Sequence, residues 1–199
     1  MGYCTDFSGE FTVNKPLDDE TAALMNGLNE TRRMKRDITK LAKRLGVSKK
    51  EAIEKYGNEG QLYCNLDGDC GQSETDDIID YNTPPSDQPG LWCQWQYDAQ
   101  SQTIEWDSGE KFYNYIEWIE YLIKAILEPR GYKLNGTVHW WGEEYEDRGN
   151  IEIADNKVTV KYAYTYYLTA EEGKKVDMIV QEYLNHDLKE LIDIALEDK

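Results

Sequence analysis

Histidine is nearly absent from this chain and proline is scarce, with two His and five Pro in 199 residues. The two histidines, His139 and His186, sit in no Ser-His, Cys-His or metal-ligand spacing, so the sequence offers neither a nucleophilic triad nor a histidine metal centre. The four cysteines, Cys4, Cys64, Cys70 and Cys93, are scattered without a zinc pattern and read as free thiols of a reducing compartment. No glycine-rich loop is spaced to cradle phosphates, and no nucleophile elbow occurs. Long apolar runs are missing too, as is the apolar core of a signal peptide, and Asp6 stands where a myristoylation signal carries Ser or Thr. The expectation is an intracellular protein that engages no membrane. Carboxylates are so common, 39 in all, that pairs such as Glu105 with Asp107 or Glu143 with Glu144 arise by chance. No catalytic residue and no cofactor is therefore nominated, and the chain reads as a binding protein more than an enzyme.

What the chain has is acid and aromatic area. The net charge of −17 disfavours nonspecific affinity for nucleic acid or anionic lipid. That charge is unevenly spread: residues Thr31 to Lys55 hold ten Lys/Arg against three Asp/Glu, a net of +7, which leaves −24 on the remainder. Aromatic residues make up 12% of the chain and supply enough apolar area for one large domain. Four of the six Trp fall between Leu91 and Leu127, the stretch that reads as the centre of the fold.

Periodicity predicts an α+β domain spanning 1–199, with an antiparallel sheet of about five or six strands packed against a central and a C-terminal helix, and a basic helical arm. Tyr3 to Val13 reads as the first strand, and the acidic run Asp18-Asp19-Glu20 opens a helix that runs to about Met34. The arm, residues 35–57, reads as a helical insertion. Residues 58–90 read as acidic loop with Pro and Gly, allowing a short strand at Ile78 to Tyr81. Leu91 to Trp95 and Ile104 to Trp106 alternate as strands. Asp107 with Glu110 resembles a capping box that starts the central helix, which Pro129 and Gly131 end. Leu134 to Glu143, Asn150 to Ala154 and Lys157 to Leu168 follow as hairpin strands. Thr169 and Glu172 form a second capping box, ahead of a stripe running through Val176, Ile179, Val180, Tyr183, Leu184, Leu188, Leu191, Ile192 and Ala195.

Three groups of residues are candidate sites. Arg32 and Arg33 are adjacent and cannot both lie on one helix face, so one could turn towards the body and meet either its own carboxylates, the favoured reading, or a bound anion, which beside the aromatics Trp92, Tyr113 and Trp141 would suit a nucleotide. Ile38 to Gly57 resembles a bacterial helix-turn-helix through Leu41-Ala42, Gly46-Val47-Ser48 and Ala52-Ile53. With Lys40, Lys43, Arg44, Lys49 and Lys50 it would meet phosphate. Ala52 departs from that pattern, and the acidic remainder would be repelled by phosphate unless a dimer presented its arms outward. Asn65, Asp67, Asp69, Ser73 and Asp76 match positions of a calcium loop, but Cys70 replaces the turn glycine and Asp76 the bidentate Glu, so no metal site is assigned.

The runs NETRRMKRD, IIDYNTPPSDQPGLWCQW, IEWDSGEKFYNYIEWIEYLI and GYKLNGTVHWWGEEYEDRGNIEI resemble a family of small acidic proteins of bacteriophages and prophages with no assigned activity. The likeness extends from Met1 to about Val160. It implies a phage-type origin and a place in the cytoplasm of a bacterial host, and it supplies no catalytic residues. It also implies relatives whose helices around Ile38 to Tyr56 are short or absent, which weighs against the arm as a shared function. The leading expectation is a non-enzymatic accessory protein that binds and modulates a host protein, in counter-defence, with a phage protein or a second copy as other partners. The competing ones are nucleic-acid binding through the arm and nucleotide binding in an Arg/aromatic pocket.

Overall fold

Alternation in the first strand sets the layering. In the computed structural model, which describes residues 2–65, 68–164 and 169–183 and side chains as far as residue 179, β1 (Thr5–Val13) buries Phe7, Phe11 and Val13 and turns Asp6, Ser8, Glu10 and Thr12 to solvent. It forms the middle of a six-stranded antiparallel sheet of order β4-β5-β1-β6-β7-β8. The flanking strands are β4 (Trp95–Asp98) and β5 (Thr103–Trp106) on one side, and β6 (Leu134–Gly142), β7 (Arg148–Ala154) and β8 (Lys157–Tyr162) on the other. The α+β class and antiparallel sheet expected from periodicity are thus present. A two-stranded sheet of β2 (Lys35–Arg36) and β3 (Ile78–Asp80) lies apart from it.

Register carries the same alternation across the sheet. Phe7 pairs with Trp140 and Val13 with Leu134, and Val138 pairs with Ile151, all on the buried face. The Asp155-Asn156 turn joins β7 to β8 with φ of 48° and 72°, the pair of positive values a tight hairpin requires. Trp140 lies across Gly149, where a Cβ would collide with the indole, so only glycine admits this packing.

Two helices cover the buried face. Helix α1 (Asp19–Glu30) is capped by Asp18, whose side chain accepts from the Thr21 N–H at 2.8 Å, and it buries Met25 and Leu28. Its Asn26 exchanges two hydrogen bonds with the backbone of Tyr97 (2.8 and 3.1 Å), which satisfies the free edge of β4. The chain leaves α1 at Thr31, so Arg32 to Met34 are extended and the helix is shorter than the expected end near Met34.

The central helix starts later than its apparent capping box. Asp107 caps no helix: its carboxylate accepts from the Gly109 N–H at 2.7 Å and from Asn29 Nδ2 at 2.7 Å. Ser108, Lys111 and Asn114 take φ of 66°, 60° and 56°, which breaks any helix there. Helix α4 (Tyr115–Leu122) then runs on through a π turn (Ile123–Leu127) and a 3₁₀ turn (Glu128–Arg130), and stops at the left-handed Gly131. Trp118, Ile119, Leu122, Ile126 and Leu127 are wholly buried with Trp95 and Trp140. Full burial of a large apolar side chain contributes about 1.5–3 kcal/mol, so this three-tryptophan layer dominates the core.

The arm forms two short helices, α2 (Ile38–Leu45) and α3 (Lys49–Tyr56), joined through the left-handed Gly46. Ser48 and Glu51 make a reciprocal capping box at α3. Ile38, Leu41, Ala42 and Ala52 pack with Tyr63 into a second small core.

The described chain divides into two units, Met1–Ala163 and Tyr164–Lys199. The second contains α5 (Ala170–Tyr183), opened by the expected capping box, with the Glu172 N–H donating to Thr169 Oγ1 at 3.3 Å and the Thr169 N–H to Glu172 Oε2 at 2.8 Å. Of the expected stripe, Val176 and Ile179 are exposed. The side chains of Val180 and Tyr183, together with Tyr166, Leu184, His186, Leu188, Leu191, Ile192 and Ala195, lie outside the described residues. Among the described residues no helix is long and apolar enough to cross a membrane.

Candidate functional site

The basic arm spends its arginines internally. Asp77, 1% exposed, accepts from Arg36 Nη1 and from Arg44 Nε, each at 2.6 Å. The two guanidiniums hold the Asp77 carboxyl below its ordinary range against the opposing effect of burial. Both also stand over the Tyr63 ring, at 4.7 and 5.4 Å from its centroid. Lys40 and Lys43 line a cavity of about 600 Å³ with Glu74, Asp76 and Asp77, so acid faces them directly. Lys50 lies 3.8 Å from Glu54 along α3, and Lys49 is exposed. The arm is therefore anchored through its arginines to the acidic 74–77 segment, while Lys40, Lys43, Lys49 and Lys50 stay exposed.

The two adjacent arginines part company, as their positions require. Arg33 is 1% exposed and donates to the carbonyls of Tyr63 (3.0 Å) and Gln61 (2.7 Å), tying the loop to the body as a buried structural cation. Arg32 donates to Tyr81 O at 2.9 Å and Asn82 Oδ1 at 3.0 Å, and its guanidinium stands 5.5 Å from the Trp92 ring centroid. Trp92 in turn lines a cleft of about 460 Å³ with Leu91, Glu110, Lys111, Tyr113 and Asn114. Of the residues grouped from sequence, Arg32 stands against Trp92 and Trp92 shares a cleft with Tyr113, while Arg33 turns inward and Trp141 lines a different cavity. Lys111, the cleft's own cation, was missed, and only its place directly before Phe112-Tyr113 in GEKFY hinted at it.

The walls of this cleft hold stored strain. A left-handed non-glycine residue costs about 1–3 kcal/mol, and Lys111 and Asn114 both line the cleft in that conformation. Asn114 recovers part of the cost by donating from Nδ2 to Pro89 O at 2.6 Å.

Trp141 belongs to a second constellation, on the outer face of the sheet. Across the β6–β7 pair it stands opposite Arg148, and across β1–β6 opposite Asp6. The Arg148 guanidinium lies 4.0 Å from the Tyr145 ring centroid, and its Nε is buried with no hydrogen-bond partner. Trp141 and Tyr145 are 42% and 60% exposed, with the exposed carboxylates of Glu143, Glu144 and Glu146 around them. A cavity of about 370 Å³ beside this cluster is lined by His139, Trp141, Arg148 and Asn150. His139 Nδ1 and Asn150 Oδ1 are 2.6 Å apart.

The connecting hairpin is pinned from inside. Asp147 accepts from Tyr3 Oη at 2.7 Å and Trp140 Nε1 at 3.1 Å, while the Glu144 N–H donates to Tyr3 Oη at 3.2 Å. The Glu144 bond lowers the Tyr3 hydroxyl pKa, but the bond to Asp147 and burial outweigh it and raise it. Tyr145 and Arg148 also escaped sequence grouping, because their pairing depends on a hairpin turn that closes only in three dimensions.

Of the calcium-loop residues, Asp67 lies outside the described residues. Asn65 donates to Tyr63 Oη at 2.8 Å, and Asp69 Oδ1 lies 3.4 Å from Cys70 Sγ. Among the described residues no three His, Cys, Asp or Glu are grouped to hold a metal ion. Compared with known proteins, the chain matches no family model, no curated protein and no solved structure.

Proposed function

We propose that this chain is a non-enzymatic accessory protein of phage type that binds and modulates a host protein, in counter-defence, through the Trp141–Tyr145–Arg148 cluster. The observation that carries the reading is that cluster itself: an exposed Trp and an exposed Tyr, the latter with an arginine stacked at 4.0 Å, on a hairpin that also exposes Glu143, Glu144 and Glu146. Trp, Tyr and Arg are the residues that dominate binding energy at protein interfaces, and truncating such an anchor typically costs at least about 2 kcal/mol of affinity. The hairpin carboxylates suit a partner whose apolar pocket has a basic rim, and the chain's net charge of −17 would speed encounter with it. The phage setting rests on the sequence resemblance alone. Nucleic-acid binding has less support, since Arg36 and Arg44 are committed to Asp77.

The test is a tagged pull-down from nuclease-treated bacterial lysate, read by native mass spectrometry, with the wild-type chain beside a Trp141→Ala, Arg148→Glu double variant. A stoichiometric protein retained by the wild type and lost by the variant is the expected result. A chain that elutes alone, or a cargo held equally by the variant, overturns the proposal.

A further inference from the structure

We infer that the cleft between Trp92 and Tyr113 binds a nucleoside monophosphate, with the base stacked on Trp92 and the phosphate met by Lys111. This site is separate from the protein-binding cluster and stands or falls independently of it. At about 460 Å³ the cleft lies within the range of small-molecule pockets.

Trp92 is a prepared platform. Arg32 braces its ring from a position that does not line the cleft, and Arg32 is itself held by Tyr81 O and Asn82 Oδ1. The indole's cleft side is therefore left for a planar group, while the cation behind it favours a ligand of negative charge. Among the described residues Arg32 forms no ion pair with a carboxylate, so its charge is felt across the ring. Tyr113, 52% exposed, offers a second ring, positioned by the Tyr3 N–H that donates to its hydroxyl at 3.1 Å.

Lys111 supplies the second positive charge. Its aliphatic stem packs against Gly2, where a Cβ would stand 2.6 Å from Cδ and Cε, so the segment ahead of β1 steers the side chain. Among the described residues its ammonium pairs with Glu110 alone, at 3.7 Å and largely in solvent, a loose pair that an incoming phosphate can replace. The left-handed φ of 60° at Lys111, a conformation that non-glycine residues seldom adopt, sets the residue on the cleft wall. One cation, two rings and one carboxylate thus line the cleft, with the Arg32 guanidinium behind the Trp92 ring.

The experiment titrates the full chain with AMP and UMP, following tryptophan fluorescence and calorimetry, with adenosine and inorganic phosphate as the uncharged and ringless probes. Saturable binding of AMP or UMP is expected, with adenosine and phosphate each at least about tenfold weaker. Trp92→Ala should abolish binding, and Trp92→Phe should restore most of it by keeping a ring. Lys111→Gln should weaken the nucleotides about tenfold and leave adenosine unchanged. Melting curves of each variant establish that it is folded. The inference is overturned if neither nucleotide saturates at millimolar concentration, if folded Trp92→Ala binds like the wild type, or if adenosine binds as well as AMP.

Discussion

Asp77 and Arg36 form an ion pair at 2.6 Å with their side chains 1% and 4% exposed, and this pair joins the basic arm to the acidic loop. Arg44 completes the group from α2, less buried at 30%. Removing the carboxylate leaves Arg36 charged inside the protein without a counterion, and breaking such a buried pair typically costs about 3–5 kcal/mol. Asp77→Ala should therefore lower the denaturation midpoint in urea strongly. Arg44→Gln should cost much less, because solvent already screens that side chain. Equal effects of the two would show that the pair is not the anchor.

How much of this was legible in the sequence depended on distance along the chain. The β6–β7–β8 meander reads directly from alternation and the Asp155-Asn156 turn, and the arm helices read from Gly46 and their apolar spacing. The start of α4 did not, because the Asp107 and Glu110 spacing imitates a capping box while Asn29, 78 residues away, takes the Asp107 carboxylate. The same limit hid the arm's docking: Asp77 is 41 residues from Arg36 and 33 from Arg44, and no local pattern records that it is buried. At the candidate sites, residue types were informative and grouping was not. Trp92, Tyr113 and Trp141 all border cavities, but Trp92 and Tyr113 lie on loops and Trp141 on β6, and which of them share a cavity only the folded chain reveals.

Acid should loosen α1 only below the ordinary carboxylate range. The Thr21 N–H and the Tyr132 hydroxyl hold the Asp18 carboxyl at about 2, down from 3.8. A carboxyl depressed on folding stabilises the native state above its unfolded value, and that contribution is lost as pH falls from 3.8 towards 2. Asp18→Asn should flatten the pH dependence of the melting temperature in that window. An unchanged slope would remove Asp18 from the acid response.

Neutralising the arm should not reveal a nucleic-acid function. With Arg36 and Arg44 bound to Asp77 and acid lining the cavity beside Lys40 and Lys43, replacing Lys40, Lys43, Lys49 and Lys50 with Gln should leave duplex DNA retention in gel shifts as weak as in the wild type. Tight wild-type binding that falls steeply with salt and disappears in the variant would reverse this reading.

Cys93 offers a probe of the core. It is wholly buried, and burial pushes its thiol up to about 12, while Cys4, Cys64 and Cys70 are partly exposed. Iodoacetamide at pH 8 should modify Cys4 readily and Cys93 only as fast as the molecule unfolds. Mass spectrometry of timed digests checks this, with the Cys93 rate expected to rise in parallel with urea. Modification of Cys93 at the pace of Cys4 would mean that the tryptophan layer opens locally.

Tyr3 links the two candidate sites, because its N–H donates to the Tyr113 hydroxyl in one while its own hydroxyl donates to Asp147 beneath the other. Gly142 permits the second contact: a Cβ there would collide with both Asp147 Oδ2 and Tyr3 Oη. Tyr3→Phe removes two hydrogen bonds, the one to Asp147 and the one from the Glu144 N–H, a loss of about 1 kcal/mol each, and leaves Trp140 Nε1 on Asp147. Gly142→Ala displaces the whole contact and moves the turn that carries Tyr145. Partner capture should therefore fall slightly in Tyr3→Phe and sharply in Gly142→Ala, with both variants folded by circular dichroism. If Gly142→Ala retained the partner as well as Tyr3→Phe does, the hairpin geometry would not be what positions Tyr145 and Arg148 for binding.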